Sequence, residues 1–189
     1  KNGDDDAFGF GQLIGILKKN PKKIVFTEGE DPRILEASSR LLASYFLHPI
    51  LIGDEKRIAD AAEESGFNIR GAEIIDPEKF DKIDEMVELY CELRKKKGVT
   101  PDQAREILKQ ANYFGTMLVK MGFADALLGG ATYSTADTVR PALQLIKTKP
   151  GNNLVSSCFI LVRPSATGDN EVLAMGDCAI NINSTEDDL

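Results

Sequence analysis

Short apolar runs alternate with longer segments of helical spacing along most of this chain. Ile24-Val25-Phe26-Thr27, Pro49-Ile50-Leu51-Ile52-Gly53 and Glu73-Ile74-Ile75-Asp76 are too short for helices and read as buried strands. Ala124-Asp125-Ala126-Leu127-Leu128 reads the same way and ends on Gly129-Gly130. Strands that alternate with helices in this way predict a parallel sheet with helices on both faces, hence an α/β domain of three layers.

The punctuation between the runs agrees. Phe10, Leu13, Ile14 and Leu17 share one helix face, which Asn20-Pro21 ends. Asp31-Pro32 supplies a cap and a first-turn proline, and Ile34, Ala37, Ser38, Leu41 and Tyr45 then fall on one side. Asp54 caps a helix that ends near Gly66. A long helix is predicted from about Phe80 to Lys97, with Ile83, Met86, Val87 and Tyr90 buried and Gly98 as its stop. Thr100-Pro101-Asp102-Gln103 is a capping box, and a further helix is predicted from about Tyr113 to Met121.

After Lys149-Pro150-Gly151 the pattern changes. Leu154–Val162 and Glu171–Met175 read as an antiparallel hairpin with a long turn. The expected organisation is a first α/β domain over residues 1–149 and the start of a second over residues 150–189. Both ends read as cut: the chain starts at Lys1 on a polar, acidic lead, and it stops at Ser184-Thr185-Glu186-Asp187-Asp188-Leu189 where a helix would begin.

A net charge of −7 argues against nucleic acid or a membrane surface as partner. No apolar run approaches the roughly 18 residues that cross a bilayer. Cys91, Cys158 and Cys178 are odd in number and lack metal-ligand spacing, which fits a reducing, cytoplasmic setting. Cys91 and Cys158 read as small core residues, and His48 as a structural loop residue.

The segment with most chemical content follows the fourth strand: Gly129-Gly130-Ala131-Thr132-Tyr133-Ser134-Thr135-Ala136-Asp137-Thr138-Val139-Arg140-Pro141. A strand, a small-residue turn and a hydroxyl-rich helix start present backbone N–H groups to an anion, and Arg140 adds a forked permanent charge. The same residues also suit an ordinary helix capped by Ser134 with Asp137 in its first turn. Pro141 leaves two arrangements open: a helix that starts at Pro141, or one that tolerates it inside. Glu28, Glu30 and Asp31 read as capping and dipole-complementing residues in preference to a metal site.

Thr132 to Gln144 resembles the signature of phosphate acetyltransferases (phosphotransacetylases). Thr27-Glu28-Gly29-Glu30-Asp31-Pro32-Arg33, Leu93-Arg94-Lys95-Lys96-Lys97-Gly98 and Gly176-Asp177-Cys178-Ala179-Ile180-Asn181 are similar to that family in the same order. The resemblance implies a fold of the isocitrate/isopropylmalate dehydrogenase-like type, with the first hairpin of a second α/β domain, a cleft between domains and a homodimer. It implies reversible acetyl transfer between acetyl phosphate and coenzyme A, with coenzyme A as substrate and no other cofactor or metal. The family's catalytic aspartate, serine and arginine are expected beyond Leu189, so no catalytic residue is assigned here.

By the same resemblance Arg94 and Arg140 match arginines of coenzyme A binding, and Ser134 and Thr135 match cleft residues near the acyl phosphate. On local chemistry alone Arg94, beside Lys95, Lys96 and Lys97, suits a solvated helix end that complements the dipole. Two alternatives accompany the acetyltransferase reading: a propionyl or butyryl preference, and a non-catalytic acyl-coenzyme A-sensing module of the kind appended to malic enzymes.

Overall fold

The computed structural model describes residues 19, 21–45, 47–132, 135–145, 154–164 and 170–181. The chain forms two compact units, Lys1–Leu145 and Ile146–Leu189. The helix predicted around Phe10–Leu17 lies outside the described residues.

In the first unit, β1 (Lys22–Phe26), β2 (Leu47–Ile52), β3 (Glu73–Ile75) and β4 (Ala126–Leu128) form one sheet in the order β3-β2-β1-β4. Every pairing is parallel; Val25 lies opposite Ile50 on one side and Leu127 on the other. Successive strand residues point to opposite faces. Accordingly Val25, Ile50 and Ile52 join one core cluster, whereas Phe26 and Leu51 join another.

The second cluster is closed by α1 (Pro32–Ser44) and α2 (Glu55–Ser65), through Ile34, Leu35, Ile58 and Ala62. The first is closed by α3 (Ile83–Leu93), α4 (Pro101–Leu108), α5 (Ala111–Lys120) and α6 (Thr135–Leu145), with Met86, Tyr90, Leu108, Phe114, Met117, Leu118 and Leu145 buried. Two covered faces make the predicted three layers. Gly115 lets α5 approach the sheet: a Cβ there would sit 3.1 Å from side-chain carbons of Ile52, Leu127 and Thr27.

The caps predicted at Asp31, Asp54 and Thr100 form, and Ser134, the other predicted cap, lies outside the described residues. Asp31 accepts from the Arg33 N–H, Asp54 from the Arg57 N–H, and Thr100 and Gln103 complete their reciprocal box. Four details differ. The long helix starts at Ile83, because Asp76 and Phe80 are used in turns before it and Phe80 stacks edge-on against Phe114 and Phe123. It also ends at Leu93: Arg94 leaves helical geometry (φ −108°, ψ 19°), and Lys95–Lys97 form a separate 3-10 turn. Tyr45 is off the helix face, in left-handed geometry (φ 62°), and is 84% exposed. His48 is the second residue of β2, not a loop residue.

In the second unit, β5 (Leu154–Pro164) and β6 (Asn170–Asn181) pair antiparallel, with an irregularity between Ser157 and Phe159. Both strands run longer than the apolar pattern predicts.

Candidate functional site

Parallel strands deliver their C-terminal ends to one edge of the sheet, and there β1 and β4 lie side by side. The chain leaves β1 toward β2 and returns to β4 from β3, so the order of strands reverses between β1 and β4. Such a crevice commonly accepts ligands in α/β proteins. Here the crevice is bridged from within. The Glu28 carboxylate, almost fully buried, accepts from the N–H groups of Gly130 (2.7 Å) and Ala131 (2.9 Å). Its second oxygen accepts from the N–H and the hydroxyl of Thr132. The predicted anion-binding turn therefore does meet an anion, and that anion is Glu28.

The neighbouring acidic residues are equally committed. Arg33 joins Asp31 (2.8 Å) and also donates to the Ala131 carbonyl (2.8 Å). Its hydrogen bond holds the Asp31 carboxyl below the ordinary value, against the opposing effect of burial. Glu30 pairs with Arg57 (2.9 Å). No cluster able to hold a metal ion occurs among the described residues. Gly29 is required by close approach, since a Cβ would lie 2.6 Å from the Ile52 carbonyl oxygen. The small recess above these groups, about 400 Å³, is lined in part by Thr27, whose buried hydroxyl has no hydrogen-bond partner among the described residues.

A larger pocket, about 800 Å³, opens between the helices on the other face. Arg94 follows the end of α3, Lys109 follows α4, and Arg140 stands on α6; all three line it. Tyr90, Tyr113, Gln110, Asn112 and Gln144 supply aromatic and amide surface between the charges. Arg140 is held by Asp137 (3.1 Å) and Lys109 by Glu106 (2.7 Å), both at half-exposed or exposed positions. No ion pair among the described residues involves Arg94, which is partly buried. Burial pushes the Tyr90 phenol above its usual value, while the charge of Arg94 pulls the other way. Tyr90 is therefore a neutral hydroxyl at physiological pH.

Chemically, the pocket offers two guanidinium forks, an ammonium, amide donors and aromatic faces. That set suits an extended ligand with phosphate groups and a flat ring.

Arg94 and Arg140, 46 residues apart in sequence, thus share one pocket. Thr135 begins α6, while Ser134 lies outside the described residues. Of the two arrangements open for Pro141, the structure has the proline inside the helix. Sequence reasoning missed Lys109, the pocket tyrosines and the role of Glu28. For Glu28 the sequence shows a carboxylate at a strand end but not its partner, because Glu30 and Asp31 stand beside it and the turn it meets lies about a hundred residues on. For Lys109 there was no signal.

The family model described as phosphate acetyl/butaryl transferase matches residues 10–189. Phosphate acetyltransferase from Thermoanaerobacterium thermosaccharolyticum is 44% identical over 178 residues, covering 94% of this chain and 54% of the relative. That from Bacillus subtilis is 48% identical over 167 residues, covering 88% of this chain and 50% of the relative. Among solved structures, the EutD phosphotransacetylase from Staphylococcus aureus superposes with a TM-score of 0.72 at 42% identity, over 90% of this chain and 51% of that one. The chain spans about half the length of the curated relatives it matches.

Proposed function

Since the chain belongs to the phosphate acetyl/butaryl transferase family, we propose that its protein transfers an acetyl group reversibly between acetyl phosphate and coenzyme A. The observation that carries the assignment of this chain's part in it is the meeting of Arg94 and Arg140 in one pocket.

In the proposed reaction the thiolate of coenzyme A attacks the acetyl carbonyl, a C–S bond forms, and the C–O bond to phosphate breaks. Phosphate leaves with the electron pair of that bond. A thiol of pKa about 8.5 has to be deprotonated for this to run near neutrality. We assign the pocket to holding coenzyme A rather than to that proton transfer. Arg94 and Arg140 meet phosphate groups of the cofactor-like substrate, Lys109 adds charge to the same pocket, and the family resemblance assigns Ser134 and Thr135 to the acyl phosphate. The transfer uses the substrate's own thiol and calls for no further cofactor. We further infer a cytoplasmic homodimer, in line with the unpaired Cys91 and with the family resemblance.

The test is a titration of the full-length protein with coenzyme A, followed by thioester formation from acetyl phosphate. Saturable binding that Arg140→Ala weakens, together with turnover, supports the proposal. Turnover with intact coenzyme A kinetics in both arginine variants removes the pocket from the reaction. Binding without turnover favours the sensing module, and faster turnover of butyryl phosphate moves the acyl preference.

A further inference from the structure

α6 contains a proline at its seventh position, and that has a local consequence. In an α-helix the N–H of each residue donates to the carbonyl four residues earlier. Pro141 has no N–H, and its ring crowds the carbonyl of Asp137. That carbonyl therefore lacks its intrahelical donor from position 141. In the structure it has another: the side-chain amide of Asn112, on the first turn of α5, donates to the Asp137 oxygen at 2.9 Å. Only the nitrogen of that amide can serve, so the bond also fixes which way the amide faces.

We infer that Asn112 is a positioning residue that seats Arg140 at the pocket by taking the Asp137 carbonyl released by Pro141. The inference rests on the proposed binding of coenzyme A. Asn112 is held on a rigid support: its own carbonyl accepts from the Thr116 hydroxyl (2.7 Å), and Phe114, Met117 and Leu118 of α5 are fully buried against the sheet. At the other end, the same Asp137 whose main chain is held by Asn112 receives Arg140 on its carboxylate at 3.1 Å. Two helical turns are joined at a second point, where the Tyr113 hydroxyl donates to Gln144 (3.4 Å). Asn112, Asp137 and Arg140 all line the pocket, so a displacement of α6 at Asp137 is a displacement of the guanidinium.

The experiment is a four-variant cycle in the full-length protein: wild type, Asn112→Leu, Pro141→Ala and the double variant. Asn112→Leu keeps the volume and removes the donor. It is expected to raise the KM for coenzyme A about tenfold, with the KM for acetyl phosphate unchanged. Pro141→Ala returns an N–H to the Asp137 carbonyl, so in the double variant most of that rise should vanish. An unchanged KM in Asn112→Leu overturns the inference, and so does a rise that Pro141→Ala leaves in place. A wild type that fails to bind coenzyme A overturns the proposed function instead. In that event the melting temperatures of the same four variants decide on Asn112: non-additive losses support the strut, and additive ones remove it.

Discussion

The turn after β4 and the pocket between α3 and α6 both gather groups suited to negative charge, but they are matched differently. In the turn, three N–H groups and a hydroxyl converge on one buried carboxylate of the same chain. In the pocket, the carboxylates that reach the cations come from exposed or half-exposed helix positions, and Arg94 has no ion pair among the described residues. A buried, fully satisfied carboxylate is expensive to displace, because its donors would be left without an acceptor away from water. A surface carboxylate gives way readily, since exposed pairs contribute about 1 kcal/mol or less. The turn is thus a structural clamp across the β1–β4 crevice, and the helical pocket is where a phosphate-bearing ligand competes on favourable terms.

Breaking the clamp should give the largest effect. Glu28→Ala leaves the Gly130, Ala131 and Thr132 N–H groups unmatched and is expected to cost about 3 kcal/mol of stability, read from urea midpoints. It also converts the turn into an open anion seat. Inorganic phosphate should then raise the melting temperature of Glu28→Ala by more than that of the wild type. An equal response in both proteins would mean that Glu28 does not occupy an anion position.

The next effect lies in the pocket. Arg140→Ala should weaken coenzyme A binding by about 1.5–3 kcal/mol, the scale of a charge-assisted contact, with little loss of stability because its partner Asp137 is half-exposed. Arg94→Ala should act on coenzyme A more than on acetyl phosphate, and its effect should shrink as salt is added. If either substitution instead raised the acetyl phosphate constant equally, the pocket would be a general anion site. Lys109→Ala is expected to be milder, about threefold on the coenzyme A constant, since its ammonium is exposed and already turned to Glu106.

The same contrast explains what the sequence discloses. The strand and helix segments and the caps at Asp31, Asp54 and Thr100 are local in origin, because periodicity and capping chemistry act within one turn, and their alternation implies the layered parallel sheet. The late helix start after Phe80 is not local: Phe80 is claimed by Phe114 and Phe123, two aromatic partners more than 30 residues away. The turn after β4 was legible as an N–H-rich site, but its occupant sits about a hundred residues upstream, where nothing in Thr27-Glu28-Gly29 announces the pairing. Arg140 is marked by its forked charge beside the turn and Arg94 by family resemblance; their shared pocket follows from the packing of α3 to α6, which no single segment encodes.

The smallest prediction tests whether the edge of the clamp is electrostatic as well as geometric. Asp31 caps α1 and is paired with Arg33, and Arg33 in turn reaches the Ala131 carbonyl in the clamped turn. The Arg33 hydrogen bond lowers the folded-state pKa of Asp31 below its ordinary value of about 3.8. A depressed carboxyl contributes stability above the unfolded-state pKa, and loses it as pH falls through the folded-state value. The contribution is therefore complete by about pH 5 and fades as pH falls from the ordinary carboxyl value toward the lower folded-state one. Asn is as good an N-cap as Asp, so Asp31→Asn removes the charge and keeps the cap. The variant should lose less than about 1 kcal/mol at pH 7, and its stability should fall less steeply than the wild type's below pH 4. Parallel curves for the two proteins in acid would leave Asp31 as a geometric cap, with Glu28 alone responsible for the electrostatics of the turn.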